Sequence, residues 1–125
     1  MQVLALDHAA VRTDKLEEMC SFFVHTLGLS VGPRPPVSLA GYWLYAGDRA
    51  VVHLVECQAT PGPASEASID HFALRVADLN AAAAELIRQD TPFNEATDPS
   101  GALTQLFIRA PNGMRVELTG PNPRL

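Results

Sequence analysis

The sequence predicts an α+β fold made from two copies of one module, a strand, a helix and then three strands (βαβββ). Three observations carry this reading. "LDHAAVR", residues 6 to 12, returns as "IDHFALR", residues 69 to 75. Each copy is followed by a segment with helical spacing and then by stretches of alternating apolar residues. Between the copies lies "TPGPASEAS", residues 60 to 68, which has the composition of a linker. The expected organisation is one domain over 1–125, with module one at about 1–60 and module two at about 68–120. A repeat of about 60 residues present only twice indicates paired modules rather than a solenoid.

Taken in order, Val3 to Val11 reads as the first strand. Thr13 is the expected N-cap of the following helix, with Asp14, Glu17 and Glu18 at the positive end of its dipole. That helix carries Leu16, Met19, Cys20, Phe23 and Leu27 at helical spacing, and Gly28 ends it. "GPRPP", residues 32 to 36, excludes a helix and reads as a stiff loop or edge. "GYWLYAG" and "AVVHLVEC" read as a hairpin about the Gly47-Asp48 turn. The pattern then restarts: a strand at 69–76, an alanine-rich helix from Leu79 to Gln89, and strands near 93–97, 103–110 and 114–119. Pro111-Asn112-Gly113 turns between the last two.

Composition narrows the function. The chain has 125 residues, 47% hydrophobic and 18% charged, the balance of an ordinary globular protein. A net charge of −5 without a basic face argues against nucleic acid. No stretch approaches the ~18 apolar residues of a membrane span. Two cysteines, Cys20 and Cys57, are too few for a disulfide framework and lack metal spacing, so they are expected to be reduced in a cytoplasmic protein.

Strand parity sorts the remaining polar groups. His8 shares a face with Leu6 and Ala10, and His53 with Val51 and Val55. His71 lies with Ile69 and Ala73, and Glu117 with Arg115 and Thr119. Val52, Leu54, Phe72, Leu74, Val116 and Leu118 take the opposite, helix-facing side, and Glu56 also faces away from His53. The offset that lays His8 on His71, lengthened by one residue, lays His53 on Glu117. Three imidazoles and one carboxylate are therefore expected on the inner faces. That set suits a divalent ion such as Zn, Ni, Co, Mn or Fe(II). A lone strand histidine is ordinarily structural; three of the chain's four at repeat-related positions are a different matter. His25, late in the first helix, fits the negative end of the dipole. Arg34, in "GPRPP", has the chemistry to grip a carboxylate or phosphate. Trp43, with Tyr42 and Tyr45, is placed to line a cavity mouth, and Arg115 to meet substrate or pair with a carboxylate. Arg12 and Arg75 sit at matching strand ends with a structural role, and the "AAAA" run, residues 81 to 84, needs only close helix packing.

"DHAAVRTDKLEEMCSFFVHTLGL", "GYWLYAGDRAVVHLVE", "DHFALRVADLNAAAAELI" and "APNGMRVEL" together resemble the vicinal oxygen chelate superfamily, the glyoxalase/bleomycin resistance/dioxygenase proteins. The resemblance spans nearly the whole chain and implies an incomplete barrel around one metal ion. Its ligand positions fall on His8, His53, His71 and Glu117. Glyoxalase I usually carries Glu or Gln where His53 stands. Extradiol dioxygenases use two His and one Glu, matching His8, His71 and Glu117, with His53 then a surplus ligand or acid-base group. The implied function is a metal-dependent lyase or isomerase acting on a small substrate that chelates the metal through neighbouring oxygens, with Glu117 as the base. An extradiol-type dioxygenase, or a non-catalytic resistance protein that sequesters a small molecule, is the alternative. Family members commonly pair, so a homodimer is expected, joined through strand edges and the "YWLY" segment.

Overall fold

The computed structural model describes residues 2–57, 62 and 69–120. Most of the "TPGPASEAS" segment lies outside the described residues. The chain divides into two compact units, Met1–Pro61 and Gly62–Leu125. Each holds one four-stranded mixed sheet, and the two together give the α+β fold of paired βαβββ modules.

In the first unit β1 (Ala9–Thr13) leads into α1 (Leu16–Ser21), which continues as a π-helical segment, Phe22–Thr26. Then follow β2 (Ser30–Gly32), β3 (Gly41–Ala46) and β4 (Arg49–Glu56). The sheet order is β1-β4-β3-β2, with β1 parallel to β4 and the other pairs antiparallel. The second unit repeats this as β5 (His71–Arg75), α2 (Leu79–Arg88), β6 (Asn94–Thr97), β7 (Leu103–Arg109) and β8 (Arg115–Thr119), in the order β5-β8-β7-β6.

Alternation decides which side of each sheet is apolar. Leu44, Val52 and Leu54 are fully buried with Met19 and Phe23 of the helical segment. In the second unit Leu106, Ile108, Val116 and Leu118 are buried with Leu79, Ala83 and Leu86 of α2. The helices therefore seal one face of each sheet, leaving His53 and Glu117 on the other. Helix ends follow local chemistry. Gly28 takes a φ of 83°, and the Leu29 N–H reaches back to the Phe23 carbonyl at 2.9 Å, closing the helical segment through a left-handed residue. Asp78 caps α2 by accepting from the Ala81 N–H at 3.1 Å.

Two sequence expectations are corrected. The first strand begins at Ala9, not Val3, and residues 2–8 carry no strand pairing. Register explains it: Ala9 pairs with Val52, and β4 itself begins only at Arg49, so residues before Leu6 have no ladder to join. Val3 and Leu4 are consequently 82 and 85% exposed, and Leu6, opposite the first residue of β4, is 81% exposed and unpaired as well. Thr13 ends β1 rather than capping α1. Its buried Oγ1 accepts from the Lys15 N–H at 2.9 Å, a local turn that delays the helix to Leu16.

Candidate metal centre

In the second unit His71 stands at the first position of β5, opposite Arg115 of β8, and Glu117 follows two residues along β8. Even parity brings both side chains to the open face. His71 Nε2 lies 3.3 Å from Glu117 Oε1, and Glu117 is only 8% exposed. Two donor atoms that share one ion through bonds of about 2.0–2.1 Å at a near-tetrahedral angle stand about 3.3 Å apart. The pair thus fits two adjacent positions around a metal. Gln105 of β7 donates from Nε2 to the same Glu117 oxygen at 3.0 Å, fixing the carboxylate. On the other side of the imidazole, Nδ1 meets Asp70 Oδ2 at 2.6 Å. Phe107 closes against His71 edge-on, with centroids 5.8 Å apart.

The first unit offers the repeat-related pair in a different posture. His8 and His53 stack face to face, centroids 3.8 Å apart and planes 14° apart. Trp43 stacks on the other face of His53 at 3.9 Å and 9°. Nitrogen lone pairs lie in the ring planes, so two parallel imidazoles direct them side by side rather than toward one point. His53 Nε2 is 3.2 Å from the Ala50 carbonyl, which only accepts, so this nitrogen carries the proton. Burial, and then the neighbouring His8 ring, push the His53 imidazole below the ordinary histidine range. His8 Nδ1 meets Asp7 Oδ2 at 2.7 Å. Asp7, His8, Trp43, Asp48, Arg49 and His53 line an open cleft of about 560 Å³.

Among the described residues no three His, Cys, Asp or Glu side chains gather closely enough to hold an ion. Each unit instead presents a pair. His71 with Glu117 has ligand spacing, while His8 with His53 is close but stacked.

The remaining candidates have definite places. Arg34 donates from Nη2 to the Leu39 carbonyl at 2.8 Å and lies over Gly41, bracing its own loop. Arg115 reaches Asp70 Oδ2 at 3.3 Å and stacks on Phe107 at 4.2 Å. Trp43 is on the open face. Tyr42 is not: alternation turns it toward the helix side, where its hydroxyl donates to Glu17 Oε1 at 2.7 Å. Tyr45 covers Gly32 and donates to the Pro33 carbonyl at 2.6 Å. Asp7, Asp70, Gln105 and Phe107 fall outside the sequence-based set. Two signals in the sequence mark Asp7, Asp70 and Phe107, and none marks Gln105. The Asp-His dipeptide is itself repeated, and the offset that lays His53 on Glu117 also lays Trp43 on Phe107.

The family model of the Glyoxalase/Bleomycin resistance protein/Dioxygenase superfamily matches residues 5–118. The chain belongs to this superfamily. Its fold is shared with a solved structure described as a glyoxalase family protein from Bacillus anthracis, at 23% identity over 98% of both chains and a TM-score of 0.79. Glyoxalase I of Leishmania major, a trypanothione-dependent enzyme, is similar at 21% identity over 94% of this chain and 87% of its own, TM-score 0.70. An antibiotic binding protein from a Streptomyces species is similar at 20% identity over 98% and 99%, TM-score 0.71. Among curated protein sequences none matches the chain. The same fold is thus found in a glyoxalase I and in an antibiotic binding protein.

Proposed function

We propose that the chain is a divalent-metal-dependent enzyme of the glyoxalase type, a lyase or isomerase whose ligands are His8, His53, His71 and Glu117. One observation carries the reading: His71 holds a carboxylate oxygen at each ring nitrogen, Asp70 on Nδ1 and Glu117 on Nε2. A neutral imidazole has one N–H, so without a proton or a cation a lone pair would face an anionic oxygen. A metal ion satisfies both groups at the observed spacing.

When bound, the ion polarises neighbouring oxygens of a small substrate. The chain's own residues supply the rest. Glu117 accepts a proton from the carbon beside the substrate carbonyl, and Gln105 keeps its carboxylate aimed. Trp43, on the open face of its sheet, supplies an apolar wall, and Arg34 is the cation assigned to an anionic substrate group. The work is done by a homodimer in the cytoplasm. Both described cysteines are free thiols, the state a reducing compartment maintains. No helix among the described residues is long and apolar enough to cross a membrane.

The His8–His53 stack favours a second reading. If His53 stays on the Ala50 carbonyl, the ligands reduce to His8, His71 and Glu117, a two-histidine, one-carboxylate set suited to Fe(II) and oxygen chemistry.

The test is metal binding followed by turnover. Purified protein should bind about one divalent ion per site, and His71→Ala or Glu117→Ala should weaken it ~10-fold or more, while Glu56→Ala, on the opposite face, should not. Unchanged affinity in both ligand variants refutes the site. Turnover of a hemithioacetal with Zn or Ni without oxygen supports the lyase or isomerase, and oxygen uptake on a catechol with Fe(II) supports the dioxygenase. Tight binding of a small molecule with no turnover leaves a sequestering protein.

A further inference from the structure

The two modules share a feature that metal ligation alone does not require. In each, the residue just before the first-strand histidine is an aspartate, and its Oδ2 meets that histidine's Nδ1: Asp7 to His8 at 2.7 Å and Asp70 to His71 at 2.6 Å. The contact is the same atom to the same atom in both units. Neither aspartate is held in place by burial, since their side chains are 85 and 71% exposed. Such side chains ordinarily turn to water, yet both fold back on their neighbour.

Each carboxylate also has a cation behind it. Arg115 donates from Nη1 to Asp70 Oδ2 at 3.3 Å, while stacking on Phe107. Arg49, the first residue of β4, lines the same cleft as Asp7. Solvent-exposed aspartates are ionised at neutral pH, so the oxygen in each short contact is an acceptor. An ionised carboxylate cannot donate, so the proton in each short contact sits on Nδ1.

We propose that Asp7 and Asp70 are positioning residues that fix His8 and His71 as the Nδ1–H tautomer and so present Nε2 as the ligating nitrogen in both modules. The inference rests on the metal reading above. In the second unit the consequence is visible: with Nδ1 committed to Asp70, the nitrogen left to face Glu117 at 3.3 Å is Nε2. Arg115 then acts through Asp70 rather than on a substrate, completing a line Arg115–Asp70–His71–Glu117. His53 shows the contrast, because its partner is a carbonyl at Nε2, which commits that ring to the opposite tautomer. A carboxylate behind a metal-bound imidazole both sets the ring's orientation and raises its basicity, and losing one typically lowers metal affinity 10–100-fold.

The experiment reads the tautomers directly, without metal or turnover. Two-bond proton–nitrogen correlation spectra of 15N-labelled, metal-free protein, recorded where the imidazoles are neutral, should show His8 and His71 as Nδ1–H and His53 as Nε2–H. Asp70→Ala should move His71 toward Nε2–H and weaken Zn binding ~10-fold or more. Asp70→Asn, whose amide oxygen still accepts, should keep the tautomer and lose less affinity. Asp7→Ala should do the same to His8, and circular dichroism of each variant checks the fold. An Nε2–H tautomer at His8 and His71 in the wild type overturns the inference, as does Zn affinity unchanged in both alanine variants. Wild-type protein that binds no Zn while showing the stated tautomers overturns the metal reading instead, so the two failures are distinguishable.

Discussion

Gly41 opens β3 opposite Val55, two residues before Trp43, at a point where the backbone has no room for a side chain. A Cβ there would sit 2.1 Å from the Leu54 carbonyl oxygen and 2.8 Å from an Arg34 guanidinium nitrogen. Carbon–oxygen contacts settle at ~3.3–3.6 Å, so Gly41→Ala must push β3 off β4 by ~1 Å or more. Arg34 can swing aside, but the carbonyl belongs to the ladder and cannot. The nearby bond from the Glu56 N–H to the Ala40 carbonyl, 2.9 Å, is the first to stretch. Losing it costs ~1 kcal/mol, and overpacking adds ~1–3 kcal/mol, giving about 2–4 kcal/mol in all. At ~4 °C or more per kcal/mol for a cooperative unit of this size, the melting temperature should fall by at least ~8 °C. Urea titration followed by the fluorescence of Trp43, the chain's one tryptophan, measures the loss and also reports the Trp43–His53 stack. Arg34→Ala in the same background separates the two contacts by a double-mutant cycle. Stability within ~0.5 kcal/mol of wild type, or full recovery on removing Arg34, would refute the backbone-contact explanation.

Leu106 is fully buried beneath β7 and pairs across to Leu118, so Leu106→Ala should cost ~2–5 kcal/mol in denaturant titration; a loss under ~1 kcal/mol would mean the site collapses around the cavity. Burial, and then the charge of Glu17, push the Cys20 thiol up, so less of it is thiolate at pH 8 than in a free cysteine. In a Cys57→Ser background, Glu17→Gln should let the Cys20 pKa fall and speed its reaction with iodoacetamide a few-fold, still short of an exposed thiol because burial remains; an unchanged or slower rate contradicts the charge contribution.

Much of the arrangement was legible because it depends on period and repeat alone. Two-residue alternation put Val52 and Leu54 in the core and His53 outside it, and likewise Val116, Leu118 and Glu117. Where a side chain goes after leaving its strand is a different matter. His53 sits on the expected face, but its ring lies between His8 and Trp43 rather than toward a shared point, and that is settled by rotamers and stacking. Gln105 meets Glu117 only through β7–β8 register, which no local stretch of sequence encodes. The first strand reads longer in the sequence than it is because Val3, Leu4 and Leu6 have strand propensity, whereas pairing before Leu6 depends on where β4 begins. Thr13 suits a cap by type, yet its hydroxyl is taken by Lys15.

Both sheets close by joining their first strand to their last, β1 to β4 and β5 to β8, in parallel. This imposes an order on folding. The β3–β4 and β7–β8 hairpins join neighbours across short turns and can form early, whereas Ala9 must wait for Val52. Closing the longer loop is the entropically dear step. During synthesis the first module can complete its sheet once Glu56 has emerged, while the second module is still being made. The nascent chain would thus make this long-range closure twice, in sequence, rather than once over the full length. Each closure also brings His8, just before β1, or His71, the first residue of β5, beside the strand bearing its partner, so both pairs would assemble last in their own modules.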